Sequence, residues 1–165
     1  MTAPPPGVLV IGVGNPSRGD DALGPAFVER AGAALAAEVA RGELELLTDF
    51  QLQVEHALDL QGRARVVFVD ASVGAAAPFA YAPVVPAVGP PAYTTHAMSP
   101  AALLATYRDV VGPPPPAFVL AIRGEGFELG APLSAAARAH LDAALAYFAA
   151  SVRAAAAGPR AAAIA

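Results

Sequence analysis

The stretch VLVIGVGNPSRGDDALGP, residues Val8 to Pro25, decides the fold. It begins with a short, continuous, β-branched apolar run, which is typical of a strand buried in a parallel sheet. The segment after it carries an apolar residue every fourth position up to about residue 40, and this spacing predicts a helix. Glycine-rich turns between a strand and a helix usually bind phosphate. This turn instead carries two adjacent carboxylates, Asp20 and Asp21, and no lysine.

The rest of the chain repeats the alternation of strands and helices. Strands are predicted at 43–49, at 65–71, at an edge position within 77–93, and at 117–122. Helices are predicted at 53–60, from Ser99 to about 111, and from Ser134 onward. Strands separated by helices require crossover connections. We therefore predict an α/β fold, a single-domain three-layer α/β/α sandwich with a mostly parallel twisted sheet of about five strands and helices on both faces.

Length and composition limit the organisation of the chain. Its 165 residues favour one domain, for which we expect residues 8–153, with a flexible N-terminus at 1–7 and an alanine-rich, disordered tail at 154–165. A net charge of −4 without a basic cluster argues against nucleic-acid binding. The absence of cysteine excludes disulfides, thiolate nucleophiles and cysteine-ligated clusters. The first apolar run is too short for a signal peptide or a membrane span, so we expect a soluble protein. The lack of cysteine fits the cytoplasm, and we expect a monomer.

Acidic side chains follow three predicted strands. Asp20 and Asp21 come after the first strand, Asp49 ends the second and Asp70 ends the third, while His96 precedes a helix. The carboxyl ends of parallel strands share one edge of the sheet, which is where ligands bind in such folds. Two carboxylates and an imidazole suit a divalent first-row metal with positions left open.

Each of these residues also has a purely structural interpretation. Asp21 can cap a helix, Asp20 can belong to a turn, Asp70 can simply end a strand, and a lone His96 can lie on the surface. Their joint placement favours the metal, because carboxylates gathered without a cation repel each other. The sequence has no complete dinucleotide fingerprint, Walker lysine, nucleophile elbow or HExxH motif. The remaining histidines, His56 and His140, are interpreted as structural or surface residues.

Three segments in order, VLVIGVGNPSRGDDALGP, VVFVDAS and THAMSPAALL, resemble the hydrogenase maturation proteases. The segment GEGFELGAPLS before the last helix is also similar, so the resemblance extends from Val8 to about Val152. It implies an endopeptidase that removes a C-terminal peptide from the large subunit of [NiFe] hydrogenase once the nickel site is assembled. The implied partner is that precursor.

The resemblance also implies roles for particular residues. The metal-contacting acids fall on Asp21, where many members have glutamate, and on Asp70, and the histidine falls on His96. These three would contact nickel that belongs to the substrate, with no organic cofactor. Together with Asp20 they are the catalytic candidates. Asn15 matches another polar position of the motif and is expected to bind the substrate, and Gly12 and Gly14 are expected to let the substrate backbone approach closely.

One segment departs from the family pattern. Many members have Asp-Gly-Gly-Thr after the second strand, where this chain reads TDFQLQVEH. Only Asp49 is kept, and this chain has Gln51 and Gln53 where those members have a flexible pair of glycines. We expect Asp49, Gln51 and Gln53 to bind the precursor, although the glutamines can equally begin a surface helix. If this loop grips the precursor, a different hydrogenase group is processed.

Two alternative functions remain open at this point. Asp21 is one methylene shorter than the family's glutamate, which leaves room for a nickel-sensing chaperone that binds the precursor without cutting it. A metal-dependent hydrolase of small molecules is the other alternative.

Overall fold

A computed structural model describes residues 7–89 and 98–164. Within these ranges the chain forms a five-stranded sheet with the strand order β2-β1-β3-β5-β4. The strands are β1 (Val8–Val13), β2 (Leu44–Asp49), β3 (Arg65–Ser72), β4 (Phe79–Pro83) and β5 (Ala117–Arg123). Neighbouring strands are parallel except for β4, which pairs antiparallel with β5 at the edge of the sheet. The predicted α/β fold with a mostly parallel sheet is confirmed.

The helices cover both faces of this sheet. They are α1 (Leu23–Ala34), α2 (Ala36–Ala40), α3 (His56–Asp59), α4 (Pro100–Val110) and α5 (Ala135–Ile164), and a 3-10 turn at Gly19–Ala22 precedes α1. One apolar cluster joins α1 and α5 to the sheet, and a second joins α3 and α4 to the opposite face. Alternate residues of each strand enter alternate clusters, as the twofold repeat of a β-strand requires.

Two predicted helices differ from the observed ones. The single helix expected up to residue 40 is broken at Leu35, which has φ −115° and ψ 31°. Leu35 is fully buried, whereas α2 beyond it buries no side chain, so no packing keeps α2 in line with α1. The helix expected over 53–60 shrinks to α3, because Gln53 to Glu55 form the turn that precedes it.

The last two helices begin as predicted. The Ser99 hydroxyl accepts the Ala102 N–H at 3.1 Å at the start of α4, and the Ser134 hydroxyl accepts the Ala137 N–H at 3.1 Å at the start of α5. α5 continues to Ile164, and the point at which the domain ends and the tail begins stays a prediction. No helix in the described part of the chain combines the length and hydropathy needed to cross a bilayer.

Candidate functional site

The glycines of the first motif allow β1 and the loop after it to pack closely against the 3-10 turn and α1. A Cβ atom on Gly14, which has φ +144°, would collide with the carbonyl oxygen of Asp21. A Cβ atom on Gly12 would lie 2.5 Å from the carbonyl oxygen of Gly24 in α1. We expected these glycines to make room for a substrate backbone. The atoms they make room for belong to the chain itself, and the result is that the 3-10 turn lies tightly against the end of β1.

Asp21 faces out of this turn at the carboxyl end of β1. Its Oδ2 accepts the backbone N–H of Asn15 at 2.7 Å, so the carboxylate is held by the loop that precedes it. The Asn15 side chain accepts the N–H of Ser17 at 2.9 Å. The role of Asn15 toward a substrate stays a prediction, while its backbone has a defined role in placing Asp21.

Asp70 lies near Asp21. Although Asp70 as a residue is exposed, surrounding protein atoms partly dehydrate its carboxyl group. This burial raises the pKa of Asp70 to about 6; the N–H of Ala71, at 2.8 Å from Oδ1, opposes the rise, and the negative charge of Asp21 adds to it. The charge of Asp21 therefore acts on the ionisation of Asp70 at the edge of the sheet where the two carboxylates were predicted to meet.

The pairing of the strands also fixes the position of Asp49 relative to Asp70. Asp49 on β2 pairs with Val13 on β1, and Gly12 pairs with Val69 on β3. One further step along the parallel register brings Val13 beside Asp70. Asp49 and Asp70 are thus in one row across the sheet with β1 between them, which places their Cα atoms about 10 Å apart.

Both side chains of this row lie on the same face of the sheet. Leu47 and Phe68, two residues before Asp49 and Asp70, pack in the cluster beneath α3 and α4. Side chains two residues apart on a strand share a face. The carboxylates of Asp49 and Asp70 are consequently directed to the α3 and α4 side of the carboxyl edge.

Asp49 is held by its own loop and by a histidine. Its Oδ1 accepts the N–H of Phe50 at 2.7 Å, and its Oδ2 lies 3.5 Å from Nε2 of His56. Nδ1 of His56 accepts the N–H of Gln53 at 2.8 Å, so the proton of the neutral ring is on Nε2, facing Asp49. We interpreted His56 as structural or surface. No spacing in the sequence signals its contact with Asp49, which depends on how the loop folds.

An open cavity of about 220 Å³ adjoins this loop. It is lined by Gly14, Pro16, Pro25, Thr48, Asp49 and Phe50. The side chains of Gln51 and Gln53 are exposed to solvent beyond it. Because Gly14 also packs against Asp21, the cavity and the carboxylate site are neighbours at the same edge of the sheet.

Asp20 has a different environment from Asp21. It is fully buried, and its Oδ2 accepts the N–H of Glu125 at 2.8 Å, the N–H of Gly126 at 3.1 Å and the hydroxyl of Ser134 at 2.8 Å. Its Oδ1 accepts the N–H of Ser134 at 2.7 Å. Burial alone would raise the pKa of Asp20, but these hydrogen bonds together outweigh it and lower the pKa. The catalytic role of Asp20 stays a prediction; its contacts join two loops.

The third predicted metal contact, His96, lies outside the described residues. Among residues 7–89 and 98–164, no three acidic or histidine side chains come together in a way that would hold a metal ion. The described part of the site consists of the carboxylate pair Asp21 and Asp70.

No protein-family model and no curated protein sequence matches the chain. Solved structures do match. The hydrogenase maturating endopeptidase HybD from E. coli is 24% identical, with a TM-score of 0.66 over 88% of this chain and 91% of that one. The [NiFe] hydrogenase maturation protease HycI from Thermococcus kodakarensis KOD1 is 19% identical, with a TM-score of 0.67 over 88% and 92%. The chain therefore has the fold of the [NiFe] hydrogenase maturation proteases.

Proposed function

We propose that this chain is a peptidase that cleaves the C-terminal extension from a nickel-loaded precursor of a [NiFe] hydrogenase large subunit. The fold that it shares with HybD and HycI over 88% of its length supports this function. The observation that carries the proposal is the Asp21 and Asp70 pair, which lies where ligands bind in a parallel sheet. Within the described residues, neither carboxylate forms an ion pair with an arginine, lysine or histidine.

The nickel in this proposal belongs to the substrate. Asp21 and Asp70 supply carboxylate oxygens, His96 supplies an imidazole, and this mixed set suits a divalent first-row ion. A cation between the two acids would also relieve the repulsion by Asp21, which adds to the effect of burial on the pKa of Asp70. Recognition of the nickel in this way would restrict cleavage to precursor whose metal site is complete.

The same carboxylates can assist the hydrolysis. A water molecule attacks the carbonyl carbon of the scissile peptide, the C–N bond breaks, and the leaving amine takes up a proton. A carboxylate that accepts a proton from the attacking water speeds this step, and its efficiency rises as its pKa approaches the working pH. Burial raises the pKa of Asp70 to about 6, which brings it closer to a neutral working pH and suits it to this role. Polarisation of the carbonyl by a nearby cation would add to the effect.

The β2–α3 loop provides the proposed contacts to the precursor chain. Asp49 borders the cavity beside the carboxylate pair, and the exposed amides of Gln51 and Gln53 can both donate to and accept from a peptide backbone. Since Gln51 and Gln53 stand in place of the family's glycine pair, we propose that the precursor belongs to a different hydrogenase group from that of the Gly-Gly members.

The direct test uses a large-subunit precursor in nickel-loaded and nickel-free forms. Incubation with the protein should remove the C-terminal peptide only from the nickel-loaded form, as measured by the mass of the product. Asp21→Asn should abolish cutting, whereas Asp109→Asn, a matched change at an exposed acid of α4, should leave it unchanged. Intact precursor in both forms would refute the proposal.

Two other outcomes would identify the alternative functions. Tight, nickel-dependent association with uncut precursor would indicate a chaperone that senses nickel. Turnover of simple esters or phosphates without any precursor would indicate a small-molecule hydrolase.

A further inference from the structure

The 3-10 turn that carries Asp21 is joined to the segment between β5 and α5, more than 100 residues away in sequence. The Asp20 N–H donates to the Gly126 carbonyl at 2.7 Å, and the Gly130 N–H donates to the Ser17 carbonyl at 2.7 Å. Gly19, at φ +51°, is so close that a Cβ atom there would lie 2.5 Å from the Gly126 carbonyl oxygen. The two backbones are therefore in direct contact at Asp20 and at the residues just before it.

The Asp20 carboxylate occupies the centre of this junction. All four of its hydrogen bonds come from Glu125, Gly126 and Ser134, which lie between β5 and the first turn of α5. The Gly124 backbone is close behind, since a Cβ atom there would lie 3.0 Å from the Asp20 Cβ. With no exposed surface, the Asp20 side chain makes its contacts with protein groups alone in this structure.

Asp21 is held from the other side of the same turn. Its carboxylate accepts the Asn15 N–H at 2.7 Å, and its carbonyl packs on Gly14. Two consecutive acids thus fix the turn in two directions, one toward the β5–α5 segment and one toward the end of β1. Without the Asp20 carboxylate the turn would lose its four side-chain hydrogen bonds to the β5–α5 segment and keep only backbone hydrogen bonds there. Asp21 would then be held less firmly relative to Asp70.

We propose that Asp20 is a positioning residue, whose buried carboxylate fixes the 3-10 turn to the β5–α5 segment and thereby keeps Asp21 beside Asp70. The proposal rests on the proposed function, because Asp21 and Asp70 are the suggested contacts to the substrate's nickel. It assigns Asp20 an effect on the rate of cutting that goes beyond its contribution to stability. Displacing a reacting group by about 1 Å can cost on the order of 100-fold in rate.

The test compares Asp20→Asn with Leu35→Ala. Leu35 is fully buried at the far end of α1, so its truncation destabilises the fold away from the carboxyl edge. Cleavage of nickel-loaded precursor is measured at a temperature where both variants are folded, and rates are expressed per folded molecule. We expect Asp20→Asn to lower kcat by about 10- to 100-fold with KM changed less than about twofold. Leu35→Ala should keep the wild-type kcat. A wild-type kcat in Asp20→Asn, or an equal loss in Leu35→Ala, would overturn the proposal.

A second measurement does not depend on cleavage. The amide resonance of Asn15 reports on its hydrogen bond to the Asp21 carboxylate. The chemical shift of this resonance should change in Asp20→Asn and stay at its wild-type value in Leu35→Ala. An unshifted Asn15 resonance would refute positioning even if the wild-type protein cuts no precursor, an outcome that would separately refute the proposed function.

A milder variant covers the case in which Asp20→Asn fails to fold. Ser134→Ala removes the hydroxyl that donates to Asp20 and caps α5, and it leaves the Ser134 N–H donor to Asp20 in place. It should shift the Asn15 resonance in the same direction by a smaller amount and lower kcat a few-fold. No change in either quantity would count against the role of Asp20.

Discussion

At the scale of single residues, the adjacent acids Asp20 and Asp21 show how position decides the chemistry of a carboxylate. Asp20 is enclosed by donors that favour its charged form, whereas Asp21 lies at the edge of the sheet beside another acid. Hydrogen bonds to a carboxylate lower its pKa, while burial and a nearby like charge raise it. Asp20 and Asp70 consequently shift in opposite directions, and each shift predicts a different dependence of stability on pH.

For Asp70 we predict that its charge destabilises the folded protein. Its pKa is about 6 in the folded state against an ordinary value of 3.8, so the folded state binds more protons between these values. Stability therefore falls as the pH rises through this window. Asp70→Asn should increase the free energy of unfolding at pH 7.5 by up to about 1 kcal/mol, after allowance for screening by solvent, and hardly change it at pH 3.5. Urea unfolding at both pH values measures the difference, with Asp109→Asn as the control. An equal effect at both pH values would contradict the prediction.

For Asp20 the sign is reversed. Its pKa is lowered in the folded state, so its contribution to stability is complete above 3.8 and is lost as the pH falls through the lower, folded-state pKa. In Asp20→Asn the new amide NH2 is a donor and faces N–H and O–H groups that donated to the carboxylate, so these hydrogen bonds are lost. We expect a loss of about 2–4 kcal/mol at pH 7. Thermal unfolding should show this loss shrinking in strongly acidic buffer. A loss below about 0.5 kcal/mol at pH 7 would mean that the hydrogen bonds are not formed.

At the scale of elements, the turn after β1 depends on glycine for its packing. Gly14 has φ +144°, and any Cβ atom there collides with the Asp21 carbonyl. Gly14→Ala must therefore strain or displace the 3-10 turn, and we expect it to cost about 1–3 kcal/mol. Gly74→Ala is the matched control, because a Cβ atom there has open space and should change stability by less than about 0.5 kcal/mol. Equal denaturation midpoints for the two variants would show that the turn adapts to the added methyl group.

At the scale of the whole molecule, two apolar clusters on opposite faces of one sheet hold the layers together. Leu103 of α4 is fully buried in one of them, whereas Leu129 has 71% of its surface exposed. Leu103→Ala should cost about 2–5 kcal/mol, and Leu129→Ala less than about 0.5 kcal/mol. The loss in Leu103→Ala should appear in one transition monitored from either face of the sheet, since domains of this size usually unfold cooperatively. Separate transitions for the two faces would contradict this expectation.

Elements with a regular apolar pattern could be predicted from the sequence, and those governed by remote packing could not. The β1 run and the Ser99 cap depend on neighbouring residues, and both occur as expected. The break at Leu35 was missed. It lies where the buried face of α1 ends, because α2 beyond it has no buried residue.

The sequence by itself determined the alternating fold and the delivery of Asp49 and Asp70 to one edge of the sheet, because periodicity and the direction of parallel strands are local and repetitive. Only the tertiary structure decided that Asp20 turns inward to donors more than 100 residues away, and that Gly12 and Gly14 accommodate the chain itself. Such contacts depend on which loops meet after the layers pack, and no spacing along the chain encodes that meeting. For this reason two neighbouring aspartates that look alike in the motif GDDA have separate roles, one in holding the turn and the other in facing Asp70.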